Sequence, residues 1–154
     1  MDINEEIARD ELSDSEPIGK LPLLASLIAL IGLGDAVYLT IQHYTAAPVP
    51  CSLIESCEKV LTSPYAEIAG VPLAALGAAA YFVAFSLAIL AAFGNRLMWT
   101  LFSIQAFLMA VFSIYLLYLQ GAVIGAFCQF CLISAATSIL LAIIAALSFF
   151  SSRK

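Results

Sequence analysis

Charged residues are scarce in this sequence. Of 154 residues only 6 are Lys or Arg and 11 are Asp or Glu, whereas about one quarter of a typical soluble domain is charged. Seven of the acidic residues lie in the first 17 positions, and no basic patch is found along the chain. Without such a patch the usual electrostatic basis for nucleic-acid binding is missing, so we expect no nucleic-acid partner.

The first apolar run lacks the features of a cleaved signal peptide. It follows a polar segment of 20 residues, it exceeds an h-region of about 7–15 residues, and no clear cleavage site ends it. The polar segment, residues 1–20, shows no apolar periodicity and is strongly acidic, which predicts a disordered tail.

Long hydrophobic runs dominate the rest of the chain, which is 63% hydrophobic with a mean hydropathy of +1.03. The runs are Leu21–Tyr44, Pro72–Phe93, Leu97–Leu119 and Phe127–Phe150. Each is long enough for a bilayer core, which needs about 20 helical residues. The sequence therefore predicts an all-α membrane protein, a monomeric four-transmembrane-helix bundle over residues 21–150. A loop over about 45–71 would carry two short surface helices separated at Pro64.

Lysine and arginine placement predicts the orientation of the bundle. Five of the six basic residues fall on one side of a four-span topology, and Lys59 alone falls on the other. The positive-inside rule then places both termini, including residues 151–154, in the cytoplasm. The 45–71 loop and the turn at Gln120–Ala126 would face outward.

All four cysteines lie on that outward side. Cys51 and Cys57 are in the loop, and Cys128 and Cys131 open the last span. Disulfides persist outside the reducing cytosol. Residues three apart share a helix face, and the positive end of a helix stabilises a thiolate. The Cys-x-x-Cys pair is therefore interpreted as a redox-active dithiol at the membrane surface.

Other interpretations of the polar residues remain open at this point. The cysteines could form structural disulfides, or hold zinc, although the five-residue gap between Cys51 and Cys57 exceeds the usual zinc spacing; we expect no metal. Asp35, about two turns inside the first span, either bonds to Tyr38, Thr40 or a neighbouring helix, or relays protons. His43 needs no functional explanation.

Three stretches carry a family resemblance that spans about residues 32–134. They are "GDAVYLT" in the first span, "CSLIESCEKVLTSPYAEIAGVPLAALGAAAY" from the loop into the second span, and "CQFC" in the fourth. In these the chain resembles the vitamin K epoxide reductase family, specifically its bacterial quinone-using members. The loop motif, two cysteines followed by a Ser-containing turn and Gly-x-Pro, is the specific part.

The resemblance implies a thiol relay with assigned roles. Cys131 would face a quinone, either ubiquinone or menaquinone, and Cys128 would be its disulfide partner. Cys57 would exchange with Cys128, and Cys51 would exchange with a thioredoxin-fold protein outside the membrane. Ser63 matches the loop Ser/Thr that resembles a hydrogen-bonding group above the active site.

The reaction implied is disulfide formation outside the cytosol, in the cell membrane of a bacterium. Leu61, Tyr65, Phe127 and Phe130 are the further predicted quinone contacts. Because the chain ends soon after the last span, the thioredoxin-fold partner is expected to act in trans. Vertebrate members carry a Thr-Tyr pair where Ser134 and Ala135 stand, so the resemblance implies quinone reduction and does not extend to an anticoagulant or vitamin K epoxide pocket of the vertebrate kind.

Two alternatives to this function are kept. A DsbB-type quinone reductase is also a four-helix disulfide-forming protein, although its two cysteine pairs occur in the opposite order. The second alternative is a non-enzymatic membrane protein, such as a small transporter or an assembly subunit, with two structural disulfides.

Overall fold

The computed structural model describes residues 19–51 and 56–151. The predicted acidic tail, apart from Gly19 and Lys20, and residues 152–154 lie outside the described residues. The elements, in chain order, are α1 Lys20–Thr45, α2 Cys57–Leu61, β1 Glu67–Ile68, β2 Val71–Pro72, α3 Leu73–Ala92, α4 Arg96–Tyr118, a π-helix Leu119–Ile124 and α5 Gln129–Ser151.

Four of these helices are long and apolar enough to cross a membrane, namely α1, α3, α4 with its π-helical extension, and α5. This confirms the predicted four-helix membrane architecture. The helices form a ring in which α1 and α4 each pack against both α3 and α5 and lie diagonally opposite one another. Large apolar side chains such as Leu27, Ile31 and Phe107 point outward, as expected for helices surrounded by lipid.

Small side chains fill much of the interior of the ring. Ala25 and Ala29 of α1, Ala84 and Ala88 of α3, and Ala106 of α4 are fully buried in one cluster. Because lipid tails are as apolar as leucine, membrane helices gain from close backbone packing, which small residues permit. The alanine-rich α3 therefore contributes to tight packing, as its composition predicts.

The connection between α3 and α4 is a short turn. Gly94 has φ of 90°, a left-handed conformation that glycine adopts without strain. The Asn95 side chain then caps α4 by accepting hydrogen bonds from the backbone N–H groups of Leu97 and Met98, at 3.1 and 3.4 Å.

The end of α4 differs from the prediction, which placed a turn at Gln120–Ala126. The helix instead continues through Leu119–Ile124 as a π-helix, and the chain reverses only at Gly125, whose φ is 64°. The backbone N–H groups of Gly125 and Ala126 both bond to the Gln120 carbonyl, which closes the wide turn.

The loop also differs in part from its prediction. Its first piece, α2, is helical, but the second piece is a hairpin in which Glu67 pairs with Pro72 and Ile68 with Val71. The two turn residues Ala69 and Gly70 have φ of 53° and 80°, and positive φ at both central positions is the requirement of a tight two-residue hairpin.

Tyr81 of α3 joins three of the four long helices. Its ring, 2% exposed, packs against the Cβ-free face of Gly32 in α1. Its hydroxyl donates to the Ser134 carbonyl of α5 at 2.6 Å and lies 2.6 Å from the Thr137 hydroxyl. This one side chain therefore sets the spacing of α1, α3 and α5.

A glycine pair on α1 tests this packing. In Gly32→Ala the new methyl would overlap the Tyr81 ring, whereas at Gly34 an added methyl meets no atom within 4 Å. Overpacking costs about 1–3 kcal/mol, while Gly→Ala in a helix gains up to about 1 kcal/mol. We expect Gly32→Ala to lower the thermal unfolding midpoint in detergent and Gly34→Ala to leave it unchanged or raise it. Equal midpoints for the two variants would contradict the role given to Tyr81.

Candidate active site

The two cysteine pairs meet at the end of the bundle that carries the loop, called the loop end below. Cys51 and Cys57 are joined by a disulfide, with Cα atoms 6.3 Å apart, and Cys128 and Cys131 are free. Cys57 is 1% exposed and Cys128 is 0% exposed, and both belong to one apolar cluster with Val60 and Ala126. The fold thus buries Cys57 of the loop pair beside Cys128 of the Cys-x-x-Cys pair.

Cys128 lies directly before α5, which begins at Gln129, and not within its first turn as predicted. Its sulfur accepts a hydrogen bond from the Cys131 side chain, which lowers the pKa of the Cys128 thiol from 9.0 to about 7. The backbone N–H groups of Cys131 and Phe130 act in the same direction, and desolvation opposes them. The Cys128 sulfur thus lies where a helix-capping group would lie. The stabilisation of a thiolate by the start of a helix, predicted from the sequence, therefore applies to Cys128.

A large cavity opens between the four long helices beneath the loop. Its volume is about 1070 Å³, and Cys131 contributes to its wall whereas Cys128 does not. Ligand pockets for small molecules commonly measure about 300–1,000 Å³ and are mainly apolar with a few polar groups. The small residues Ala74, Gly77 and Ala80 of α3 form part of the wall. Small side chains on α3 therefore leave space for the cavity as well as allowing close helix packing.

Three of the loop residues predicted from the sequence reach the cavity. Leu61, Ser63 and Tyr65 all line it from above. Ser63 Oγ donates to the Val60 carbonyl at 2.7 Å, which holds this turn against the end of α2. The loop therefore covers the cavity and carries the Cys51–Cys57 disulfide at the same time.

The two predicted phenylalanine contacts do not lie on the cavity wall. The Phe130 ring packs on Tyr38 of α1, with centroids 5.3 Å apart. The Phe127 ring lies beside Gly121, where an added methyl would come within 3.3 Å of it. Residues 127 and 130 flank Cys128 in sequence, but their rings face α1 and the π-helix, away from the cavity.

Asp35 lines the cavity from α1. Among the described residues its Oδ2 atom is buried without a hydrogen-bond partner. Neither of the local partners considered for it bonds to this oxygen: Thr40 Oγ1 donates to the Ala36 carbonyl, and the Tyr38 hydroxyl is bonded to Gln42 Nε2. Local bonding to Tyr38 or Thr40 therefore does not account for this carboxylate.

Two polar residues at the loop end make contacts that the sequence did not predict. His43 Nε2 lies 2.9 Å from Glu67 Oε1 and so ties the hairpin to α1. Gln120, on the π-helix, accepts the backbone N–H of Cys128 at 3.2 Å through Oε1. The available signal for Gln120 was an amide in the short apolar stretch that directly precedes Cys-x-x-Cys. Within the described ranges no group of three or more His, Cys, Asp or Glu side chains could hold a metal ion.

The model of the vitamin K epoxide reductase family matches residues 23–146, most of the chain. The matched range includes both cysteine pairs, Asp35 and the residues around the cavity. The match selects this family over the DsbB type, the other disulfide-forming family weighed from the sequence.

The acidity of Cys128 is testable by alkylation. The thiolate is the reactive form, so its alkylation rate in the reduced protein should rise with pH through a midpoint near pH 7 and level off above it. Cys131→Ala removes the donor to the sulfur, which should move this midpoint upward toward the ordinary value of 9.0. Residue-resolved mass spectrometry after short pulses of a small alkylating agent measures the midpoint.

The matched control is Cys131→Ser, whose hydroxyl can still donate. We expect most of the lowered midpoint to survive in this variant. The same midpoint in Cys131→Ala as in the unchanged protein would contradict the hydrogen bond as the main cause.

Proposed function

Because the chain belongs to the vitamin K epoxide reductase family, it is a membrane oxidoreductase, and we propose that it passes electrons from a thiol protein to a quinone. Electrons would enter through Cys51 and Cys57, move to Cys128 and Cys131, and leave to a quinone in the cavity. The net result is a disulfide in the thiol protein.

This proposal rests on one observation: the two sulfurs of the Cys-x-x-Cys pair lie in different surroundings. Cys128 is buried in a cluster with Cys57, whereas Cys131, which packs against the edge of that cluster, also forms part of the cavity wall. A pair divided in this way can exchange with the loop on one side and with a cavity ligand on the other. Two structural disulfides would require neither the cavity nor this division.

The relay follows from thiolate attack on disulfides. A dithiol partner reduces the Cys51–Cys57 disulfide, giving up two electrons and two protons and becoming a disulfide itself. The Cys57 thiolate then attacks a Cys128–Cys131 disulfide, forming a Cys57–Cys128 bond and releasing the electron pair on Cys131. Attack of Cys51 on Cys57 restores the loop disulfide and frees Cys128.

The cavity residues fit a quinone, the class of molecule with which this family acts. The wall is mostly apolar, and Ser63, Gln42 and Asp35 supply separated polar groups. A bound quinone accepts two electrons and two protons. Ubiquinone and menaquinone are the candidate acceptors. Cys131, at the cavity wall, would react with either of them, and closure of the Cys128–Cys131 disulfide would supply the two electrons and two protons that reduce the quinone.

The location and the partner are parts of the same proposal. The loop end would lie on the outer side of a bacterial cell membrane with both termini in the cytoplasm, as the positions of Lys and Arg indicate. The partner would be a thioredoxin-fold protein that acts in trans on Cys51. Cys51 suits this task because it is partly exposed, whereas Cys57 is buried.

Two serine variants separate the steps. Cys131→Ser should abolish quinone reduction by any thiol donor, because the sulfur at the cavity is lost. Cys51→Ser should block oxidation of a thioredoxin-fold protein but leave quinone reduction by a small dithiol largely intact. Quinone absorbance in detergent, followed with each donor, measures both activities. Equal loss of both activities in Cys51→Ser would show that the assigned order is wrong.

Asp35 is proposed to relay a proton to the cavity, since its unpartnered carboxyl oxygen is buried there. General acid–base groups contribute about 10²–10⁴-fold in rate, so Asp35→Asn should slow quinone turnover by about 10²-fold and remove the carboxyl-dependent part of its pH profile. Thermal unfolding of the variant controls for packing. Unchanged turnover across pH would leave Asp35 as a packing residue.

A further inference from the structure

Gln120 is a buried amide to which the relay described so far gives no role. It lies on the π-helix that follows α4, it is 5% exposed, and it forms part of the cavity wall. Short π-helical segments occur frequently at functional sites. The Gln120 carbonyl accepts the backbone N–H groups of Gly125 and Ala126. The backbone of Gln120 is therefore fixed to the segment that leads into Cys128.

The two ends of the Gln120 amide can be told apart. Oε1 accepts the Cys128 backbone N–H at 3.2 Å. Because a backbone N–H can only donate, this bond identifies the oxygen and leaves the NH₂ group as the other end. Within the described part of the chain no oxygen or nitrogen atom accepts from this NH₂ group, and it is not among the fully buried polar atoms that lack a partner. It therefore meets open space, and the space beside Gln120 is the cavity.

The two aliphatic hydroxyl groups that the loop brings to the cavity wall have no hydrogen to offer a ligand. Ser63 Oγ, which the family resemblance assigns to hydrogen bonding above the active site, donates its one hydrogen to the Val60 carbonyl at 2.7 Å. Thr62 Oγ1 donates to the Glu58 carbonyl at 2.7 Å. Each hydroxyl retains only its lone pairs, and a quinone carbonyl is also an acceptor. The donor that a quinone requires must therefore come from elsewhere in the wall.

We propose that Gln120 binds the quinone by donating its NH₂ group to one carbonyl oxygen of the ring, while Oε1 stays on the Cys128 N–H. This role deepens the proposed function and rests on it. Cys128 and Cys131 lie in one turn of backbone, since the Cys128 carbonyl accepts the Leu132 N–H at 3.0 Å. Gln120 is thus anchored to the turn that brings Cys131 to the cavity, where the ring would react.

The hydrogen bond would assist reduction of the ring as well as orient it. Negative charge builds on the carbonyl oxygens of a quinone as electrons enter and before protons arrive. A fixed donor stabilises such charge strongly in a site that excludes water, and the Cys128 N–H keeps the Gln120 amide from rotating away. An amide does not give up its proton, so the contribution of Gln120 should not vary with pH, unlike that proposed for Asp35.

Infrared spectroscopy of bound quinone tests this bond directly. Fully oxidised protein in detergent, which has no electrons to pass on, is mixed with a short-chain ubiquinone or menaquinone that carries ¹³C at its carbonyl carbons. A hydrogen bond lowers the carbonyl stretching frequency, so one band should lie below its position in detergent alone. Gln120→Met, which removes the donor at similar size, should lose this shift. Gln105→Met, a matched change on α4 away from the cavity wall, should retain it.

Gln120→Glu separates donation from packing and serves if Gln120→Met fails to fold, which thermal unfolding detects. The introduced side chain has the same length and keeps an acceptor for the Cys128 N–H, but its ionised carboxylate has no donor. The shifted carbonyl band should be absent at alkaline pH and return as the introduced carboxyl gains a proton. In the unchanged protein the band should not depend on pH.

Turnover gives a second readout. A hydrogen bond to a charged oxygen corresponds to about 10- to 100-fold in rate. The kcat/KM for the quinone should therefore fall by that factor in Gln120→Met at every pH, and it should keep the wild-type value in Gln105→Met.

Two outcomes would count against the proposal, and they are distinguishable. Quinone that binds the unchanged protein without a shifted band, or with a shift that survives in the folded Gln120 variants at alkaline pH, would overturn this role and leave the proposed function intact. Failure of the unchanged protein to bind either quinone would overturn the proposed function together with this role.

Discussion

The packing of Tyr81 between α1 and α5 is the contact on which the arrangement of the site depends. Its ring occupies the space that Gly32 leaves on α1, and its hydroxyl is bonded to α5 at Ser134 and Thr137. Ser134 lies three residues after Cys131, so it shares a face of α5 with that cysteine. By fixing the rotation of α5, Tyr81 keeps the Cys131 sulfur toward the cavity. Alanines elsewhere in the ring allow close packing but specify no such rotation.

The start of α5 explains how two cysteines so close in sequence serve different surroundings. Cys128 precedes the helix and takes the capping position, where its sulfur turns back toward backbone N–H groups and the cluster around Cys57. Cys131 is inside the helix, and its side chain follows the helical face toward the cavity. If α5 began one turn earlier, both sulfurs would lie on the same helix face. Neither of them would then face the loop disulfide while the other faced the cavity. The boundary of a single helix thus divides the two exchange steps.

Much of this architecture could be predicted from the sequence, because membrane spans depend on length and hydrophobicity alone. The four helices and the convergence of the cysteine pairs follow from the apolar runs and from the side on which each cysteine falls. The π-helix at Leu119–Ile124 could not be predicted, since it depends on backbone bonds to Gln120 that close only when the chain reverses at Gly125. The hairpin was missed because Ala69 adopts positive φ without being glycine. Phe127 and Phe130 were predicted to contact the quinone because they are aromatic and near the outer end of a span, but the Phe130 ring packs on Tyr38 of α1 and the Phe127 ring lies beside Gly121.

The attachment of the hairpin to the bundle gives the molecule two levels of stability. Beyond its covalent link to α3, the hairpin is tied to α1 by the contact between His43 and Glu67, and partly exposed pairs of this kind contribute only about 0–1 kcal/mol. The bundle beneath is held by buried packing that opens only with global unfolding. Opening the hairpin therefore costs less free energy than opening the helices. Access to the cavity beside Glu67 thus depends on contacts at the loop end more than on the packing between the spans.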